Sequence, residues 1–346
     1  MDKMTKKLIQ AVAGSGKTQL IIDNLINNKN QIAIITYTEV NQKVLKDRII
    51  SAFDGALPSN IHVFGLFQFL YIFCILPYET DRPKGINFNT LTTNAHNQYI
   101  YKDKFGCFYK DRLSRYVLAS HNSYIQRIDT FFSQVYIDEV QDFGCDDLNW
   151  LWSLKSCVAD VIAVGDYFQG TFQTSSRGNT NKKVKSDLAN YKNAFEENNY
   201  LFDDKTLRKS RRCTQSTCQF VRKNLGIDIF ADDSNAIGEL PRIIQDEDIF
   251  LELWKNKQIK KLFYQEHVKY DCSNSMNWGE AKGITEEDVC VIPTKGIFKM
   301  ILNNNFGAIA SRTKAGFYVA CTRAKGNIFF LDPTLANKYK IKSISE

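Results

Sequence analysis

"AVAGSGKTQL" (residues 11–20) stands between a short apolar run, "KLIQAV" (7–12), and a segment with helical spacing, "TQLIIDNLI" (18–26). A strand that feeds a glycine-rich turn and then a helix is the setting in which a loop binds phosphate. The unpaired amides at the helix N-terminus point at the anion. The run ends Gly16-Lys17-Thr18, although it begins with Ala11 where the usual pattern has glycine. Gly14 and Gly16 let the backbone approach the phosphates, and Ala13 and Ser15 complete the cradle. Lys17 is expected to reach the β- and γ-phosphates and Thr18 to ligate Mg²⁺. The stretch predicts an ATP–Mg²⁺ site carried by an α/β sheet.

Outward from it, "QIAIITY" (31–37), "QVYIDEV" (134–140) and "DVIAVGD" (160–166) are β-type runs between polar or helical segments, and "IHVFGLFQFLYIFCILPY" (61–78) reads as a strand running into a helix. A second series follows in "PRIIQ" (241–245), "KKLFYQ" (260–265), "DVCVIPT" (288–294) and "NIFFLD" (327–332). This alternation predicts parallel sheets with helices on both faces. The polar stretch 175–200 reads as a loop followed by an exposed helix, which places a domain boundary near it. The expected domains are 1–198, with a small helical insertion at about 79–130, and 199–346.

The chain has 346 residues, 44% hydrophobic and 24% charged, enough for two cores. No run of 18 apolar residues is present, and "MDKMTKKLIQ" does not read as a signal peptide. Nine scattered cysteines without a CxxC pair suggest reduced thiols and a cytoplasmic location, with no membrane partner. The four histidines are too dispersed for a zinc site. The net charge of +7 is compatible with a polyanionic partner but does not require one.

A P-loop enzyme also needs a carboxylate at a strand end. "VYIDEVQDF" (135–143) supplies Asp138 to hold the metal and Glu139 as the base that activates the attacking water.

What the nucleotide drives is suggested by an ordered set. "AGSGKT" (13–18), "IITYTEVNQKVLKDRI" (34–49), "IDEVQD" (137–142), "AVGDYFQGTF" (163–172), "TLRKSRRC" (206–213), "WGEAKGITEEDV" (278–289) and "FYVACTRAK" (317–325) follow one another. Together they resemble the signature motifs of the UvrD/Rep helicases of superfamily 1A, from residue 7 to about 332, in a compact form. The resemblance implies two RecA-like P-loop NTPase domains with ATP–Mg²⁺ in the cleft between them. It also implies single-stranded DNA as partner and 3′–5′ translocation.

Residue by residue, the resemblance implies that Gln141 and Gln169 sit near the γ-phosphate. Arg212 matches the arginine of the fourth motif, and Arg323 the arginine finger of the last. Lys282 and Gly283 match the fifth motif, where Thr285 replaces the usual glutamate. Thr36, Tyr37, Thr38 and Phe172 match strand-contacting positions. Tyr37 has two open readings, a base-stacking ring or a cap on the core, and core packing is expected for Phe64 and Phe67. Only ten residues precede Ala11, so the glutamine motif that reads adenine is not expected before it. Only 66 residues lie between Arg212 and Gly279, too few for the large second-domain insertion.

Two functions are therefore carried forward. One is an ATP-dependent DNA translocase or helicase, with RNA as an open alternative partner. The other is an ATP-gated nucleic-acid sensor that regulates a partner such as a nuclease in phage defence. The motif order argues against a metabolic kinase.

Overall fold

The computed structural model of the chain describes residues 5–81, 83–89, 100–120, 123–170, 180–307 and 309–341. The fold is α/β, with one parallel sheet in a six-stranded arrangement and another of five strands, the architecture of two RecA-like domains. The residues group into two compact units. One comprises Met1–Gln10, Lys17–Gly165 and Gln173–Thr206, the other Ala11–Gly16, Asp166–Phe172 and Leu207–Glu346.

The first unit is built on strands β1 (Lys6–Ala11), β2 (Ile32–Thr36), β3 (Ile61–Gly65), β4 (Gln134–Asp138), β5 (Asp160–Gly165) and β6 (Leu201–Leu207). Their spatial order is β3-β2-β4-β5-β1-β6. Every residue of β2, "IAIIT", is buried, which explains why it lacks the polar alternation of a one-sided strand. The pairings β3-β2, β2-β4, β4-β5 and β5-β1 are all parallel. Register aligns the strand ends: Gln10 lies opposite Gly165, Asp138 opposite Val164, and Thr36 opposite Gly65. One rim of the sheet thus collects the carboxyl ends of β1, β2, β4 and β5, the edge at which open α/β sheets place their ligands.

Helices α1 (Lys17–Leu25), α2 (Glu39–Ala52), α3 (Leu113–Ser120), α4 (Ser123–Phe131), α5 (Cys145–Ser153) and α6 (Leu188–Glu197) belong to this unit. Helix α1 buries Ile21, Ile22 and Leu25, a helical stripe that seats it on the sheet. As the sequence suggested, β3 runs directly into helical turns over 66–78, where Phe69, Leu70 and Phe73 are buried. The stretch 79–130 contains α3 and α4. Helix α6 is more deeply packed than its polar sequence suggested. Tyr191 and Phe195, one turn apart, are buried, and the Phe195 ring lies 5.9 Å from that of Trp152 and 5.6 Å from that of Tyr200.

The second unit holds β7 (Arg242–Ile244), β8 (Lys260–Phe263), β9 (Ser275–Asn277), β10 (Val289–Ile292) and β11 (Ile328–Leu331), in the order β7-β11-β10-β8-β9 with every pair parallel. Its helices include α7 (Gln215–Leu225), α8 (Glu247–Lys255), α9 (Lys295–Leu302) and α10 (Ser311–Cys321). Thr214, Asp246 and Thr294 cap α7, α8 and α9 by accepting from free amides of the first turn. Helix α10 is buried on every side from Ala315 to Cys321. Its core also takes in Val12 and Ala13, with Phe168 packed against it. All nine cysteines are unpaired. Among the described residues, no helix is long and apolar enough to cross a membrane.

Candidate nucleotide site

In the first unit, Lys17 opens α1 and Glu139 follows the last residue of β4. The Lys17 Nζ lies 3.6 Å from Glu139 Oε1, with the two side chains 13% and 15% exposed. Glu139 is left-handed, with φ 57° and ψ 40°. For a residue with a Cβ this costs on the order of 1–3 kcal/mol and tends to mark functional turns. The turn lets the carboxylate face the lysine instead of continuing along the strand. Asp138, 5% exposed, accepts from the Glu139 amide through Oδ1 at 3.0 Å. Gln141 donates through Nε2 to Glu139 Oε2, and Lys185 donates to the Gln141 carbonyl at 2.6 Å. Gly165, at the end of β5, makes this packing possible. A Cβ there would collide with the Gln141 side chain and stand 2.7 Å from Val140 Cγ1.

The glycine-rich loop shows why its glycines are needed. Gly14 has φ +72° and Gly16 φ +90°, both in the region that favours glycine. A Cβ on Gly14 would also stand 2.7 Å from Arg212 Cβ and 2.8 Å from Ser210 Oγ. The Arg211 amide donates to the Gly14 carbonyl at 2.9 Å, so residues 210–212 dock on the loop. Ser15 Oγ is buried without a hydrogen-bond partner. Within the first unit, the Lys17 cation would suit a phosphate, and Thr18 with Asp138 would hold its Mg²⁺.

In the second unit the other chemistry-bearing residues form a buried cluster. Asp166 is 0% exposed and caps the turn Tyr167–Gln169, accepting from the Phe168 amide at 3.1 Å. Its Oδ2 accepts from Gln169 Nε2 at 2.8 Å and from the Tyr318 hydroxyl at 3.1 Å. The same hydroxyl accepts from the Ala13 amide at 2.8 Å. Burial, and next the charge of Asp166, push the Tyr318 hydroxyl well above its ordinary range. It therefore stays protonated and able to donate.

Arg323 is 1% exposed. It donates from Nε to the Val319 carbonyl at 2.9 Å, and from one terminal nitrogen to the carbonyls of Ala281 at 3.2 Å and Ile284 at 3.4 Å. These bonds pin the turn that carries Lys282 and Gly283, where Gly283 has φ +89°. Arg212 donates to the Thr322 carbonyl at 3.0 Å. Burial first, and then the charge of Arg212, lower the Arg323 pKa. Both guanidiniums are thus engaged with backbone oxygens. The neighbouring Arg211 is exposed: a Cβ built on Gly16 would lie 3.6 Å from its guanidinium carbon.

The residues that the resemblance places against a strand divide. Thr36 is fully buried and its hydroxyl has no hydrogen-bond partner. Thr38 caps α2, accepting from the Asn41 amide at 3.1 Å. Tyr37 is half-buried, its ring edge-on to Phe67 at 5.8 Å. Phe64 packs against Phe69 at 5.3 Å. Phe172 lies outside the described residues. The sequence reading missed three residues. Arg211 was overlooked beside its neighbour Arg212. Asp166 and Tyr318 stand inside quoted motifs, but only their shared hydrogen bond singles them out.

No family model and no curated protein matches the sequence. Among solved structures, the chain resembles Arterivirus nonstructural protein 10 (helicase) in complex with DNA, with a TM-score of 0.52 at 13% identity, covering 96% of this chain and 62% of that one. The crystal structure of Arterivirus nonstructural protein 10 (helicase) gives 0.49 at 13% identity, over 97% of this chain and 62% of that one. The PRRSV helicase gives 0.47 at 14% identity, over 98% of this chain and 55% of that one. The chain spans less than two thirds of the length of these proteins. The likeness to the DNA complex is one of fold.

Proposed function

We propose that the chain is an ATPase of helicase type, stimulated by nucleic acid, which translocates on single-stranded DNA in the 3′–5′ direction. The observation that carries this reading is the 3.6 Å approach of Lys17 to Glu139, with Asp138 directly before it, at the rim of a parallel sheet. The ordered motifs shared with UvrD/Rep-like helicases support the choice of nucleic acid over a metabolite. Bound ATP–Mg²⁺ would supply the scissile phosphoanhydride and a metal that neutralises phosphate charge. Lys17 binds the β- and γ-phosphates, and Glu139 takes the proton from the attacking water. Gln141 orients that carboxylate through its amide, and Gln169 offers a neutral amide near the reacting phosphate. Arg211 offers an exposed guanidinium for transition-state charge, while Arg212 and Arg323, bonded to backbone carbonyls, position the turns that carry Thr322 and Lys282. Contacts to the strand would be to backbone and base faces, hence independent of sequence and sensitive to salt.

A second reading, an ATP-gated sensor that regulates a partner nuclease, draws on the region between Arg212 and Gly279. Its 66 residues contain α7, β7, α8, β8 and β9, elements of the second unit itself. ATP hydrolysis measured with and without single-stranded DNA and RNA, beside duplex unwinding, tests both. Stimulation with unwinding supports the motor, and stimulation without movement supports the sensor. Hydrolysis indifferent to nucleic acid would overturn both.

A further inference from the structure

We propose that Tyr318 is a positioning residue that ties the phosphate loop to the Asp166–Gln169 turn, so that what the loop binds is felt at the Gln169 amide. The proposal rests on the reading of residues 11–18 as a nucleotide loop. A buried tyrosine hydroxyl needs one partner to be satisfied. This one uses both its acceptor and its donor, and spends them on two segments far apart in sequence. It accepts from Ala13 N–H at 2.8 Å and donates to Asp166 Oδ2 at 3.1 Å. The same Oδ2 holds Gln169 Nε2 at 2.8 Å. The result is a hydrogen-bond chain from a loop amide to a side-chain amide, with one hydroxyl in the middle.

The surroundings make the link rigid. Tyr318 is fully buried in α10, Asp166 is fully buried, and Gln169 is 3% exposed. The Phe168 ring meets the Tyr318 ring edge-on at 6.2 Å. Movement of the Ala13 amide must therefore be taken up by the hydroxyl or passed to Asp166. Asp166 in turn fixes the Gln169 amide and, through the Phe168 amide, the turn that carries it. Low local dielectric strengthens such linked bonds.

Tyr318→Phe removes the hydroxyl and leaves the ring in the core. Two measurements test the link. In the first, amide hydrogen exchange is followed with adenylyl-imidodiphosphate and Mg²⁺. The wild type should slow exchange in both 13–18 and 166–170, whereas Tyr318→Phe should respond in 13–18 only. In the second, DNA-stimulated hydrolysis is measured for Tyr318→Phe, Gln169→Ala and the double variant. Tyr318→Phe should lower kcat about tenfold, the scale of coupling between two sites, with little change in KM. In the Gln169→Ala background it should cost nothing further.

Asp166→Asn is the companion variant should Tyr318→Phe melt prematurely, since it keeps the side-chain shape and replaces one acceptor oxygen with a donor. It should reproduce the lost response at 166–170. A response at 166–170 that survives either folded variant, or losses in kcat that simply multiply, would overturn the proposal. A wild type that shows the exchange response but no stimulated hydrolysis would sink the motor reading and leave the link standing.

Discussion

Lys17 and Arg323 are both cations assigned to the same chemistry, and they sit in opposite surroundings. Lys17 is on a helix N-terminus, its ammonium 3.6 Å from a carboxylate. Arg323 is 1% exposed inside the second unit, bonded to the carbonyls of Val319, Ala281 and Ile284. An ammonium beside a carboxylate can exchange that partner for a phosphate at little cost to the fold. A guanidinium bonded to buried backbone oxygens is part of the packing, and its removal takes charge-assisted hydrogen bonds out of the core. The first cation should be separable from stability by mutation, and the second should not.

The largest effect is expected at the partner of the first cation. Glu139→Gln should lower turnover by about 10²–10⁴, the usual contribution of a general base, while retaining ATP binding because Asp138 and Lys17 remain. Steady-state hydrolysis beside titration with a fluorescent ATP analogue checks this, and normal turnover would remove Glu139 as the base. Lys17→Ala should lower turnover by about 10²–10³, as for loss of one preorganised electrostatic contact. It should also weaken nucleotide binding, with the melting temperature nearly unchanged.

Arg323→Ala should behave differently. A hydrogen bond from a charged group is worth about 1.5–3 kcal/mol, so the variant should melt several degrees lower and lose rate more than nucleotide affinity. Arg211→Ala, at an exposed side chain, should leave the melt alone and reduce only the rate. If both arginine variants melt like wild type, the contrast between the two kinds of cation fails.

The smallest effect concerns Tyr37, half-buried against Phe67. Tyr37→Ala should weaken single-stranded DNA binding by about 1–3 kcal/mol, the value of one stacked base, and spare basal hydrolysis. Tyr37→Phe should bind nearly normally. A folded Tyr37→Ala protein with unchanged affinity would leave the ring a role in packing alone.

Much of this was legible from one dimension. The strand runs of 7–12, 31–37, 134–140, 160–166, 241–245, 260–265, 288–294 and 327–332 all contain strands. Continuous apolar runs have few other ways to be buried. Strands β6 and β9 escaped because β6, "LFDDKTL", is mostly polar and β9 has only three residues. The helix 188–197 looked exposed because two buried aromatics among ten residues make a faint stripe.

The sequence by itself determined the parallel α/β architecture. That architecture depends on the order of strands, turns and helices along the chain. Only the tertiary structure decided which groups meet. The left-handed turn at Glu139, the docking of residues 210–212 on Gly14, the burial of Arg323 against the 281–284 turn, and the hydroxyl of Tyr318 between Ala13 and Asp166 join residues tens to hundreds of positions apart or depend on local dihedral angles. Periodicity records which face of an element is buried. It does not record which polar atom on another element will be there to satisfy a hydroxyl, so that pairing exists only once the chain has folded.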